Sequence, residues 1–522
     1  MNDPLAILPF LLPLAGAGAT LLLARWRAAQ AAVAMGLLLA GFLSGAMLLR
    51  GIWETGRPVA YAMGGWPAPY GIAFVGDLLS ATFVTLAGAV FAAGGLYAWG
   101  CRDAAVREQP AFFPLFLALA AGLSGAFLSG DLFHLFVCTE LIVISGAALT
   151  ASARDGGGPE AAFKYFYISL VAGLSLLIAC GTLYAAYGTL NLADLAERIA
   201  ARPDHPLAAA AAVFLLAYAL CKCAGVPFHF WQPDFHAAAP TPVSAMLSSV
   251  IVKLGVYVLL RGGPLFLPLA AGPFRAVLLA AGIAGVAVGS LGAIGTRHAK
   301  RMLAYSTLAQ IGLVLVAIAW GSRAAIAAAI VLAVNHALVK SALLMIAGAM
   351  AGRAPGHVAA FDALRGLGVG MPAAGALFLL GGLALAGVPP MNGFIGKWML
   401  FRSGAGEERF LVLALLAAAG GLSLIYTVRA YQLVWWTPRK DGIAATTGGD
   451  SFAAPALLIA VCVALGVFAE PLLRLADGVA AEIHTRDARD GAESAARHPA
   501  RPGTAPAWPG AGSVAANGEG AP

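Results

Sequence analysis

Runs of about twenty apolar residues, separated by short polar or glycine- and proline-bearing connections, recur along almost the whole chain. A helix of that length crosses a hydrocarbon layer of ~30 Å. The runs lie near 5–24, 30–49, 73–98, 112–130, 132–150, 162–188 and 207–231, then near 241–261, 272–294, 302–321, 324–351, 371–401, 409–436 and 453–475. This pattern predicts an all-α polytopic membrane protein of about fourteen transmembrane helices. The first run carries Asp3 and no basic region before it, so it reads as a spanning helix and not as a cleaved signal. Lys and Arg are more numerous in the loops after odd-numbered spans, which puts those loops in the cytoplasm of a bacterial-type cell and both termini on the other side of its inner membrane. From about Asp477 the apolar pattern gives way to Ala, Gly, Pro, Ser and charge, and 477–522 is expected to be a disordered tail.

Two of the runs are interrupted in the same way. Ala224-Gly225-Val226-Pro227 follows Lys222 in the seventh run, and Ala386-Gly387-Val388-Pro389 precedes Lys397 in the twelfth. Proline removes a backbone donor and breaks a helix, and bare backbone at membrane depth is tolerated only inside protein or beside a wet cavity. Corresponding broken helices in two halves of a membrane protein point to its transport site. The expected organisation is three N-terminal helices over 1–111, two inverted five-helix repeats over 112–262 and 263–440 with helices 7 and 12 broken, and a fourteenth helix within 441–476.

Charge inside the apolar runs carries the functional signal. An ionisable side chain near the middle of a spanning helix costs at least ~2.5 kcal/mol, so such residues mark ion or substrate routes. Glu140 lies mid-run between apolar neighbours, and Lys222 and Lys253 are each deep in theirs. A lone carboxylate at that depth would take up a proton, whereas an opposite charge within ~4 to 6 Å keeps both groups charged. Glu140 and a lysine of another helix are therefore a candidate switchable pair, the alternative being a purely structural ion pair. His336 and Lys340 are four apart on one helix face, and imidazole titrates near neutrality, which suits a relay; a satisfied core histidine is the competing reading. Lys397 has Arg402 and a polar stretch close behind it, so snorkelling to the interface also explains it. Asp77 and Asp131 open apolar runs and read as helix caps, Lys164 as an interface anchor, and His229 and His236 as relay or interfacial residues of one aromatic turn.

Composition narrows the classes. With 60% hydrophobic and 11% charged residues over 522 positions, no large soluble domain fits. The formal net charge of +7 is spread over short loops, so no nucleic-acid partner is expected. The six cysteines show no zinc or iron–sulfur spacing; Cys221 and Cys223 flank Lys222 but do not share a helix face, and they read as packing residues. No metal, cofactor or redox site is expected.

These motifs resemble a known family. ValProPheHisPheTrpGlnProAspPheHisAlaAlaAlaProThrProValSerAlaMetLeu at 226–247, followed by Lys253, is similar to a signature of the antiporter-like subunits of respiratory complex I, membrane-bound hydrogenases and multisubunit Mrp sodium/proton antiporters. AsnHisAlaLeuValLysSer at 335–341 resembles that family's eleventh-span motif, and GlyValProProMetAsnGlyPheIleGlyLysTrp at 387–398 its broken twelfth span. The resemblance covers roughly 70–440. It implies a proton-translocation axis of Glu140, Lys222, Lys253, His336, Lys340 and Lys397, with other membrane subunits as partners and protons, exchanged for sodium in the Mrp case, as the transported species. A lysine at 397 looks like the D-type member of the Mrp antiporters and the N-type member of complex I. Gln232 and Phe235 depart from the family pattern, which usually has an aliphatic and a small residue there. The resemblance also admits a second role, as the pump module of an NADH:quinone oxidoreductase or hydrogenase whose electron chemistry lies in other subunits.

Overall fold

The computed structural model of the chain describes residues 3–66, 70–153, 157–202, 204–438 and 449–484, with backbone alone at 264–271. Its first half contains α1 (Leu8–Leu22), α2 (Arg27–Thr55), α3 (Leu78–Gly100), α4 (Phe112–Phe127), α5 (Leu132–Ala151), α6 (Gly158–Tyr187), α7 (Pro206–Lys222) and the short α8 (Trp231–Ala238). There follow α9 (Thr241–Gly263) and α10 (Gly272–Gly295). Next come α11 (Ala299–Trp320), α12 (Arg323–Ala351), α13 (Pro372–Ala386) and α14 (Asn392–Gly406). The last are α15 (Phe410–Trp436), α16 (Ala453–Val467) and α17 (Glu470–His484). Among the described residues nine helices are long and apolar enough to cross a bilayer, and α1, α4, α7 and α13 are shorter apolar helices. The chain is a multi-pass helical membrane protein, as the apolar runs predict.

Local chemistry sets the helix ends. Asp77 caps α3, accepting from Ser80 N at 2.8 Å while Ser80 Oγ accepts from the Asp77 amide, a reciprocal box that satisfies two end groups. Asp131 accepts from the amides of Phe133 and His134 at the start of α5. Both aspartates are caps, as expected from their positions. Ahead of α3 the chain pairs β1 (Val59–Ala62) with β2 (Ala73–Gly76), antiparallel, so the third helix begins at Leu78 and not at 73.

Two further boundaries differ from the hydropathy pattern. The backbone stays helical from Lys253 to Gly295, through the connection expected between the eighth and ninth runs. At the C-terminus the fourteenth run, expected as one helix over 453–475, ends at Val467 and a separate helix runs from Glu470 to His484, so 477–484 is ordered where a tail is expected; the rest of that tail, 485–522, lies outside the described residues. α17 turns 82° from α16. It is held by the Arg323–Asp477 ion pair, by His484 on the Gly321 carbonyl and by burial of Val479 and Ile483, contacts that a hydropathy window averages away beside Glu470, Arg474 and Asp477.

The helices sort by exposure. α9, α11 and α12 are buried on nearly all sides, whereas α6 turns Phe163, Tyr167, Leu174 and Ile178 outward. An outward apolar face of this kind suits lipid or a neighbouring membrane subunit. Of the charged residues singled out by the sequence, Lys253, His336 and Lys340 fall on these innermost helices.

Candidate functional site

α7 ends at Lys222 because Ala224 adopts a left-handed conformation, φ 54°, and Pro227 cannot donate to a continuing helix. The end is tidied by Cys223 N on the Ala219 carbonyl and Gly225 N on that of Leu220. Lys222, 8% exposed, holds Nζ 6.0 Å from the centroid of the Tyr218 ring, a cation–π arrangement one helical turn back. The Tyr218 hydroxyl is hydrogen-bonded to Thr139 Oγ1 at 2.7 Å, and the next residue of α5 is Glu140. Glu140 and Lys222 are thus within electrostatic reach but form no ion pair. Glu140 Oε1 and Lys222 Nζ are both buried without a hydrogen-bond partner among the described residues. The direct pair expected from the sequence is open in this structure.

The next lysine is reached through tight packing. A Cβ on Gly255 of α9 would lie 2.6 Å from Cys223 N, so only glycine lets α9 approach the end of α7 this closely. Just before Lys253 the helix widens over Leu247–Ile251, with Val252 N bonding the Leu247 carbonyl five residues back at 3.2 Å. Such π-bulges re-aim the side chains that follow and recur at functional sites. Here the bulge precedes Lys253, which is hydrogen-bonded through Nζ to Nδ1 of His336 on α12. One turn further along α12, Lys340 Nζ donates to the Leu303 carbonyl at 2.9 Å and to Ser306 Oγ. His336 Nε2 has no partner among the described residues, and Lys253, Lys340 and His236 all lie within electrostatic reach of the ring.

His236, one of the two histidines left open by the sequence, belongs to this interior. It is buried, its Nδ1 lies 3.1 Å from Ser244 Oγ, and it feels the charges of Lys340 and Lys300. Lys300 is buried as well and donates to the Ala239 carbonyl at 3.2 Å. His229 is half-buried in the α7–α8 turn, with Nδ1 buried and unpartnered among the described residues. Lys164 bonds Glu160 and Asp234 at 2.7 Å, and Asp234 also takes Arg301, which closes a half-exposed ionic cluster over α8.

Lys397 lies half-buried on α14. Its side chain does not run outward but folds back onto the end of α13, where Nζ donates to the carbonyls of Leu385 at 3.0 Å and Ala386 at 2.7 Å. Around it stand polar residues that hydropathy gave no reason to single out. Gln310 donates to the Leu385 carbonyl at 3.3 Å, while Asn335 and Asn392 are buried with side-chain atoms unpaired among the described residues. Their signal in the sequence is position alone: Asn335 adjoins His336, and Asn392 follows the second break.

The described residues therefore contain a series of ionisable groups in which Lys222, Lys253, His336 and Lys340 are buried and the two ends, Glu140 and Lys397, are half-buried. That arrangement defines a polytopic membrane protein with charges at membrane depth. The chain belongs to the NADH:quinone oxidoreductase/Mrp antiporter transmembrane family, whose model matches residues 129–423. It is 35% identical over 400 residues to NADH-quinone oxidoreductase subunit N of Desulforudis audaxviator, covering 76% of this chain and 79% of the relative. It is 29% identical to the D-type component of the Na(+)/H(+) antiporter of Alkalihalophilus pseudofirmus, over 92% of this chain and 97% of that protein. Its fold is that of a chain in the solved Mrp complex from Dietzia sp., with a TM-score of 0.86 at 23% identity over 94% of this chain and 99% of the other.

Proposed function

We propose that this chain is a proton-translocating subunit of a multisubunit inner-membrane complex of the Mrp type, in which protons are exchanged for sodium or a similar cation. The observation that carries this reading is the bonded, fully buried Lys253–His336 contact with Lys340 one turn away. Three basic groups packed together in the interior are costly, and groups of that kind cluster where protonation is used. A proton on Lys222 is stabilised when Glu140 closes on it and is released toward Lys253, His336, Lys340 and Lys397 when the pair opens, the arrangement seen here. Moving a charge across the membrane costs ~2.3 kcal/mol per 100 mV, so an opposing ion gradient or a redox partner must drive the step.

In this reading the nine long helices, the four shorter apolar ones and α16, from which α17 turns away, make fourteen crossings, and the breaks at α7 and α13 belong to two inverted repeats. The identity shared with an N-type relative supports a second reading, in which the chain is the pump module of a redox complex. Reconstitution of the intact complex separates the two. A pH gradient built on addition of sodium or potassium supports cation exchange, and one that needs a reduced donor and a quinone supports redox pumping. A complex that moves no protons under either condition contradicts both.

A further inference from the structure

Leu385 and Ala386 close α13, and the residues four positions on, which would supply their helical N–H partners, are Pro389 and Pro390. Neither proline has an N–H to give. Both carbonyls are instead held by a cation of the chain itself, the Lys397 side-chain nitrogen, with Gln310 sharing the Leu385 oxygen. The two breaks share a closing bond five residues back, Gly225 N on the Leu220 carbonyl at 2.7 Å in the first and Val388 N on that of Leu383 at 3.0 Å in the second, and they differ at the lysine. In the first, the Cys221 carbonyl takes Ala224 N at 3.2 Å, and Lys222 Nζ has no hydrogen-bond partner among the described residues. Only the second break turns a helix C-terminus, with roughly half a negative elementary charge, into a cation seat.

A second observation points to the same place. Asn335, 1% exposed, has an unpaired Oδ1, and its amide lies against the break: a Cβ on Gly393 would meet Nδ2 at 2.8 Å and the Ala384 carbonyl still closer. Beside Gly393, Asn392 is fully buried with both amide atoms unpaired. Peptide and amide oxygens with no carboxylate among them are hard, neutral ligands, suited to a monovalent alkali cation and too weakly charged for calcium or magnesium. Unwound carbonyls and half-helix C-termini coordinate sodium in other transporter folds.

We infer that the α13–α14 break is an alkali-cation site and that the ammonium of Lys397 is its built-in competitor. When Lys397 passes its proton on, the amine leaves the Leu385 and Ala386 carbonyls, and a sodium or potassium ion takes them together with Asn335 Oδ1. When Lys397 is protonated again it returns and expels the ion. One proton leaves as one monovalent cation enters, so charge balances, and mutual exclusion at one seat is what exchange requires. This inference rests on the proposed proton–cation exchange and adds the site at which the two species meet.

The test is equilibrium binding of radioactive sodium, and separately rubidium as a potassium surrogate, to the purified intact complex at one fixed pH. Lys397→Met is expected to tighten binding roughly tenfold or more, the usual scale of coupling between two ligands. Adding Asn335→Val to it should abolish the gain. Lys397→Gln, neutral but still able to donate to the same carbonyls, should fall between wild type and Lys397→Met, and it keeps the test decisive if the methionine variant does not assemble. Equal affinity in wild type and both Lys397 variants overturns the site. Proton transport by the wild-type complex that continues alongside that result leaves the proposed function standing, whereas absence of proton transport with the binding gain present overturns the function and keeps the site.

Discussion

Lys253 and His336 are hydrogen-bonded to each other across the contact between α9 and α12, Nζ to Nδ1, each residue 1% exposed. When Lys253 donates to Nδ1, the proton of the ring sits on Nε2, which has no partner among the described residues. The imidazole can then take a proton on one side and release one on the other, the geometry of a relay. His336→Ala is expected to lower proton transport at least roughly tenfold, in keeping with the effect of removing a positioned proton carrier. It should also cost about 1–3 kcal/mol by leaving a buried amine unpaired. Initial rates of pH-gradient formation in vesicles, compared at equal complex content, check the first expectation, and melting in detergent the second.

Gly173 on α6 faces the carboxylate of Glu140, and a Cβ there would lie 2.6 Å from Oε1. The neighbour that must yield is the far end of a flexible side chain, so Gly173→Ala is expected to displace the carboxylate without disturbing assembly. Transport should fall while complex yield stays at the wild-type level. Unchanged transport in Gly173→Ala would show that the position of Glu140 does not matter.

Arg261 and Asp77 form a bidentate ion pair, nearly buried, between the end of α9 and the cap of α3. Breaking such a pair from one side strands a buried charge, and Asp77→Ala should cost about 3–5 kcal/mol. The variant is expected to accumulate poorly and to melt earlier in detergent, with Asp77→Asn less affected because it can still cap α3.

Glu482 of α17 adds a pH dependence to this corner. Its carboxyl accepts from Leu78 N at 3.1 Å and is pushed up to about 9, first by burial and then by Asp77, with Arg261 opposing. Tyr257 and Arg261 face it from α9, and Asp77 from the cap of α3. A carboxyl whose folded value lies above its unfolded one, ~4.3, contributes stability that is complete below the unfolded value and is lost as pH rises through the folded one. Docking of α17 should therefore loosen as pH climbs through about 9. Protease cleavage at the α16–α17 bend should accelerate over that interval in wild type and stay flat in Glu482→Gln.

Much of the site was legible in the sequence for one physical reason. Lys222, Lys253 and Lys340 each interrupt an apolar run, and at membrane depth a charge stands out in any hydropathy reading. Breaks at Pro227 and Pro389 were legible because proline cannot donate. What remained hidden has equally definite causes. Ser306, Gln310 and Asn335 sit within helices where one polar residue barely moves the local average, and their importance comes from facing Lys340 or the α13 end in three dimensions. Lys300 lay in a cluster with His298 and Arg301 that reads as an ordinary loop charge. The open separation of Glu140 and Lys222 and the folding of Lys397 onto backbone carbonyls depend on side-chain torsions that no sequence pattern specifies. α17 escaped because its charges mask a buried stripe of Leu472, Ala476, Val479 and Ile483.

The central claim is that Glu140 and Lys222 form the switch that starts proton movement. It is tested most directly by cation-driven pH-gradient formation in everted vesicles carrying the complex with Lys222→Ala or Glu140→Ala. Both variants are predicted to assemble at wild-type levels and to form no gradient. Normal gradient formation in either one contradicts the account.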